Sequence, residues 1–453
     1  MDSPIQPEDH KMRFINKNSI EDSGWWDTIE GTAGADMIEI GFGNDTVYAR
    51  GGDDAIWDKD GAYVEDVWLG SDDKIYAGGG NDLIFAGWGA DTIDGGSGHD
   101  TLDYRYSRTG VIVDLRNGTG LGGNDSASKG DKITSIETVA GSHHNDILFS
   151  SASQNLDGGD GNDTLTGGTG SSELRGGAGD DYIIVKSFSN VVNGGDGFDT
   201  ADYHGLGQGI ALGSSASQAQ ANAIGARRAT ETQVEKVVGT AFADYIHLGA
   251  FSNDTKKING MGGNDTLNGG GGNDVLNGGT GNDMIHGGNG KDVIHGDSGN
   301  DTLHGGYGDN QMFGDAGNDT LFDGANTDVM NGGTGNDRLV SSFGRDQLTG
   351  GTGADTFVFD NFAQYCANAT ITDFNRADDV IDLSGIDAVV EVTGNQSFVF
   401  DRTGSGDIGT VHSEIVGNKT IITTVVDISH GYVADMTITL EGRHVLNASD
   451  FIL

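Results

Sequence analysis

A large apolar residue returns at every ninth position along one stretch of the chain: Leu267, Leu276, Ile285, Ile294, Leu303, Met312, Leu321, Met330, Leu339, Leu348 and Phe357. Written around that residue, U, residues 259 to 357 are eleven consecutive nonapeptides without an insertion, all close variants of the form x-G-G-x-G-x-D-x-U. The residues flanking U are long enough for a very short strand that points the U side chain to one face. The glycines before it permit positive φ and tight curvature, so six residues make a turn whose carbonyls converge. Two nonapeptides then form one coil of about eighteen residues with two strands back to back, and each turn stacks on the second turn after it. Asp265 comes to lie over Asp283 on one edge, and Asp274 over Asp292 on the other. The pattern predicts an all-β chain built as a right-handed parallel β-roll, or β-helix solenoid.

The same period divides the rest of the chain. After an N-terminal arm, 1–29, a first array spans 30–102, a second 140–201 and the third 259–357. Segments 103–139 and 202–258 separate them; each follows an Asp-Tyr pair and rejoins at a G-(S/T)-x-x-x-D-x-I turn. Alternation at Val111, Val113 and Leu115, and at Ile133, Ile136 and Val139, predicts strands, so these segments read as wider β-coils in the same stack. The Ala- and Gln-rich run at 217–237 predicts one short helix. Beyond Phe357 the pattern changes. Thr420, Ile422 and Thr424 alternate with Ile421 and Thr423, and Met436, Ile438 and Leu440 with Thr437 and Thr439. Residues 358–453 therefore read as a β-sandwich-like cap of the kind a solenoid needs at its end.

Stacking places aspartates about one strand spacing apart, roughly 5 Å, where they repel unless a cation lies between them. Turn carbonyls and an Asp carboxylate make an adaptable all-oxygen shell, which Ca²⁺ prefers and Mg²⁺ does not. The candidate ligands in the third array are Gly260, Gly262 and Asp265; Gly269, Gly270, Gly272 and Asp274; Gly278, Gly279, Gly281 and Asp283; Gly287, Gly288, Gly290 and Asp292; Gly296, Gly299 and Asp301. They continue with Gly314, Gly317 and Asp319; Gly332, Gly333, Gly335 and Asp337; Asp346; and Gly350, Gly351, Gly353 and Asp355. Asp36, Asp45, Asp54, Asp82, Asp91 and Asp100 extend the set through the first array, and Asp163 and Asp181 through the second. One apolar residue in nine is a thin core against chain entropy of about 1–2 kcal/mol per residue. Several bound calcium ions are therefore expected to supply most of the order.

Charge narrows the partners. Lys and Arg number 25 against 69 Asp and Glu, a formal charge of −44, which argues against nucleic acid or an anionic membrane surface. Acidic, glycine-rich sequence is also what a disordered tail looks like, but the strict period and recurring U residues weigh against that reading whenever calcium is present. The 79 glycines lack a triplet period, which excludes collagen. Pro4 and Pro7 are the only prolines, as suits a chain that is sheet nearly throughout. Cys366 has no partner for an internal disulfide and reads as a small apolar residue of the cap. No stretch approaches the roughly 20 apolar residues of a membrane span. The start, MDSPIQPEDHKMRF, lacks the apolar core of a signal peptide, so export would need another signal.

These repeats resemble the calcium-binding nonapeptides of RTX (hemolysin-type) proteins. Thr372-Asp373-Phe374, the run Asp379 to Asp387 and the terminal Ala448-Ser449-Asp450-Phe451-Ile452-Leu453 resemble the C-terminal secretion domain of serralysin-type metalloproteases. The resemblance implies a secreted, extracellular bacterial protein that leaves through type I secretion machinery and folds on external calcium. Protease activity is not implied, because H-E-x-x-H is absent, and G-x-S-x-G is absent too. His286, His295 and His304 recur at the period, yet alternate turns fall on opposite edges, so they read as solvated turn-entry residues and not as a zinc ladder. His143 and His144 show no acidic partners that would make a site. Trp57 and Trp88 should face outward and could stack on a sugar, while Trp25 and Trp26 read as an arm packed on the first coil. The expected function is a non-enzymatic surface, matrix or interaction protein. The alternatives are a secreted polysaccharide-acting enzyme with converging carboxylates in the wider segments, or an adhesin that binds cell-surface or extracellular glycans.

Overall fold

The computed structural model describes residues 13–16, 19–21, 26–41, 43–58, 63–64, 67–68, 71–85, 87–122, 127–213, 227–228, 230–248, 254–359, 368–386, 397–402, 407–428 and 432–453. The chain is all-β. Among the described residues there is no α-helix, and the one 3₁₀ turn is Ala448–Asp450. Two compact units are present: Met1–Leu206 with Ala229–Val234, and Gly207–Arg228 with Glu235–Leu453.

The second unit shows the coil in its simplest form. One parallel ladder runs through Thr266–Gly271, Met284–Asn289, Thr302–Tyr307, Thr320–Ala325, Arg338–Ser341 and Thr356–Phe359. The other runs through Lys257–Asn259, Val275–Thr280, Val293–Ser298, Gln311–Phe313, Val329–Thr334 and Gln347–Thr352. The register is one coil: Leu267 pairs with Ile285 and Ile285 with Leu303. All eleven U residues are fully buried. This is the parallel β-roll that the nine-residue period predicts, because the period places one apolar side chain per half-coil in the interior and the glycine turns close the path between them.

The first unit is built the same way and shows how the segment 103–139 is accommodated. Thr101–Asp103 pairs in parallel with Thr138–Ala140, which pairs with Asn155–Asp160. On the opposite ladder Thr92–Ser97 pairs with Lys132–Thr134, and an antiparallel excursion through Thr119–Gly120 reaches Ile112–Asp114 before parallel pairing resumes with Ile147–Phe149. Val111, Val113, Ile133, Ile136 and Val139 are buried, as their alternation predicts. The described part of 217–237, the run expected to hold a short helix, forms strands at Arg227–Arg228 and Thr230–Thr232, followed by Lys236–Val238. The remainder of that run lies outside the described residues, as do Trp25 and Cys366.

At the C-terminal end, Thr410–Val416, Lys419–Ile428 and Tyr432–Glu441 form an antiparallel meander, and its last strand pairs in parallel with Asn368–Ile371. Thr420, Ile422, Thr424, Met436, Ile438 and Leu440 make its buried face. The other ladder ends with Val380–Asp382, against which Phe451–Ile452 pairs.

Candidate metal centres

The glycines of a turn do two different jobs. The third and fifth residues of the nonapeptide take positive φ, as at Gly279 (104°) and Gly281 (131°), where a side chain would be strained. The second residue lies outside that region but is hemmed in. A side-chain carbon on Gly278 would stand 2.3 Å from Oδ2 of Asp283 and 2.8 Å from the carbonyl of Gly296 in the next coil. Gly260, Gly296, Gly314 and Gly332 show the same convergence of a carboxylate and a next-coil carbonyl. Every predicted glycine ligand except Gly262 occupies one of these three places.

Each ladder aspartate uses its two oxygens differently. Oδ1 of Asp283 accepts the amide of Asp265 at 2.7 Å, and the series continues through Asp301, Asp319, Asp337 and Asp355. On the other edge the amide of Asp274 donates to Asp292 at 2.8 Å. Asp54, Asp82 and Asp100 form such a series in the first array, Asp45 and Asp91 lie in a second one joined through Asp73, and Asp163 donates to Asp181. The other oxygen, Oδ2, is buried with no hydrogen-bond partner in Asp54, Asp82, Asp91, Asp100, Asp163 and Asp181, and in Asp265, Asp274, Asp283, Asp292, Asp301, Asp319, Asp337 and Asp355. A buried anionic oxygen with nothing to accept from is costly, so these positions call for a cation. Loss of hydration, reinforced by Asp244, pushes the Asp265 carboxyl up to about 9. Burial likewise raises Asp163 to about 8 and Asp181, Asp301 and Asp319 to about 7, opposed by the amide each accepts. A hard divalent ion bound by these carboxylates and carbonyls fits that donor set.

Some ladder positions are closed without an orphaned oxygen. The amide and hydroxyl of Thr32 occupy both oxygens of Asp36. Ser142 treats Asp146 the same way, and Thr240 treats Asp244. Here the rejoining motif G-(S/T)-x-x-x-D finds its reason: the residue after the glycine carries a hydroxyl that takes up the carboxylate. Oδ2 of Asp346 accepts the Ser341 hydroxyl at 2.8 Å. The hydroxyl of the buried Tyr104 donates to Oδ2 of Asp131, and Asn310 stands in a ladder place with its amide nitrogen bonded to the Gly308 carbonyl.

Sequence reading singled out neither Asp73, Asp199 and Asp328 nor the cap's Asp379, all of which belong to the ladders. Spacing by one coil would have found the first three. It also missed a second zipper: the side-chain oxygen of Asn264 accepts the amide of Asn282, and the pattern repeats through Asn300, Asn318 and Asn336. His286 and His304 stack with ring centroids 4.6 Å apart, whereas His295 stacks on Phe313 in the other ladder. The three therefore do not converge.

A family model described as the RTX calcium-binding nonapeptide repeat matches residues 26–56, 69–102, 157–192, 257–285, 286–321 and 322–357. No curated protein matches the chain. Among solved structures, the solution structure of the AlgE6R3 subunit from the Azotobacter vinelandii mannuronan C5-epimerase is 22% identical, over 47% of this chain and 78% of that one. Its TM-score is 0.18, a likeness too slight to bear on the fold. The matched stretches are the ones that carry the orphaned carboxylates, and over them the chain carries RTX calcium-binding nonapeptide repeats.

Proposed function

We propose that this chain is a secreted protein whose rolls order when they bind several calcium ions outside the cell, after export through a type I machine, and that it serves as a non-enzymatic surface, matrix or interaction protein. The observation that carries the reading is the row of buried Oδ2 atoms without partners. Without metal, adjacent ladder carboxylates destabilise the stack. Bound calcium would neutralise them and take its remaining ligands from turn carbonyls, so binding and folding become one equilibrium. Asp131 of the first wide segment is buried, accepting the amide of Asp91 from the first array and the hydroxyl of Tyr104, which favours a structural role over catalysis there. The test is far-ultraviolet circular dichroism of chelator-treated protein during a calcium titration. The expected result is a largely disordered spectrum that turns β-rich cooperatively by millimolar calcium, with magnesium a poor substitute. A spectrum already β-rich in chelator overturns the reading.

A second reading has its own support. Trp57 stacks on Phe85 at 5.0 Å, Tyr106 continues the row at 5.7 Å, and Tyr106 is 68% exposed. The exposed ring of Tyr106 at the end of this row suits stacking on a sugar ring, and a glycan array probed with the calcium-loaded chain distinguishes an adhesin from a matrix component.

A further inference from the structure

Nine of the eleven third-array nonapeptides have glycine in second place, but FDGANTDVM has Asp323 there. Its carboxylate turns inward. Asp323 is fully buried, and it accepts the amide of Ser342 in the next coil, at 3.0 Å on one oxygen and 2.9 Å on the other. It thereby joins Asp328 of its own turn and Asp346 of the next, and one oxygen from each of the three lies within 4.8 Å of the others. Asp328 is itself fully buried and its Oδ2 has no partner, so the group contains an acceptor with nothing to satisfy it.

The same arrangement recurs in the first unit, at the ten-residue insertion that lengthens the spacing from Asp45 to Asp73 to 28 residues. Removing the insertion puts Asp58 in second place of the interrupted nonapeptide. Asp58, Asp73 and Asp91 are again three buried carboxylates with oxygens within 4.8 Å. In both cases the additional carboxylate reaches the third residue of the next coil, Gly87 beside Asp58 and Ser342 beside Asp323.

We infer that Asp58 and Asp323 turn two turns of this protein into three-carboxylate cages, a second and tighter class of site for a hard, oxygen-seeking cation than the glycine-only turns provide. The inference rests on the reading of the ladders as calcium sites. Affinity of oxygen cages for calcium rises with carboxylate count and rigidity, and each cage adds a full charge, that of Asp323 held by the amides of Gly324 and Ser342. With three charges the cages should favour a trivalent lanthanide over calcium even more strongly than the ordinary turns do.

The experiment uses the full calcium-loaded chain, dialysed against a series of chelator buffers, with bound calcium counted by atomic emission. Two ions per chain should remain after the others have left. Asp323→Gly installs the residue its sibling turns carry, and should retain one such ion; the double variant with Asp58→Gly should retain none. Affinity at the altered cage should fall about tenfold or more. Asp323→Asn, which keeps the shape and removes the charge, should show the same loss. Unchanged retention in these variants overturns the inference, as does tighter binding by Asp323→Gly, which would mean that Asp323 plugs its turn with a proton. If the wild-type chain binds calcium in one class only, the cages fail while the ladder reading stands; if it binds none, both fail.

Discussion

Asp265 carries three tasks on one side chain. Its Oδ1 accepts the amide of Asp244 in the preceding coil, its own amide donates to Asp283 in the following one, and its Oδ2 faces inward unpaired. Burial and Asp244 together lift its carboxyl to about 9, against about 3.9 for an unfolded aspartate. A folded value above the unfolded one means that the metal-free roll binds protons the unfolded chain does not. The stabilisation from those protons is complete below about pH 4 and is lost as pH rises through the folded values, which run from about 6 at Asp274 and Asp283 to about 9 at Asp265. Calcium-stripped protein should therefore gain β-structure on acidification from pH 8 to about 4, and calcium should bind more weakly at the acid end. Circular dichroism against pH in calcium-free buffer checks this; a spectrum that stays disordered throughout would count against protons and calcium competing for the same oxygens. Most of the ladder aspartates could be read from the sequence, but their two-oxygen division of labour could not, because it depends on which coil each oxygen faces.

At the level of the turn and strand, the nine-residue period was enough to place the core, since one apolar side chain per half-coil has only the interior to occupy. Less could be read where identity and direction decide the outcome. Thr32, Ser142 and Thr240 look like ordinary polar turn residues until their hydroxyls are seen to consume a carboxylate. The asparagine zipper was hidden similarly, as an asparagine before the ladder aspartate reads as a solvated turn residue. Both zippers tie each coil to the next, which predicts coupling between sites. Asp283→Ala removes the acceptor of the Asp265 amide and an orphaned oxygen from mid-array, whereas Asp355 stands at the array's end, its amide held by Asp379 of the cap. Asp283→Ala should raise the calcium midpoint for β-structure more than Asp355→Ala does, with a loss of about 1–3 kcal/mol for the acceptor left out. Equal midpoints in the two titrations would mean that order does not spread along the array.

For the whole molecule, a net charge of −44 describes a chain that resists compaction until cations arrive. The resemblance of the final residues to an export signal meets a structural fact: Asp450 is buried, is bridged by Arg376 at 2.9 Å and caps the Asn447 turn, while Phe451–Ile452 pairs with Val380–Asp382. Such a tail can be read by an exporter only before the cap forms. A chain lacking Asp450–Leu453 should stay inside cells that carry a matching type I exporter, while its third array still folds on calcium; undiminished release into the medium would reduce the tail to a closing strand. One further property follows from how the last coil ends. Asp379 receives the amide of Asp355, and Asp373 receives the amides of Gly350 and Gly351, so the cap offers the final coil what each coil offers its predecessor. Away from the Asp323 cage and Asn310, the coils of the array present the same two faces, and nothing within such a coil records its ordinal number. The extent of the roll is set by its terminator and not by its repeating unit, so coils of that kind can be gained or lost in steps of eighteen residues without redesign of those that remain.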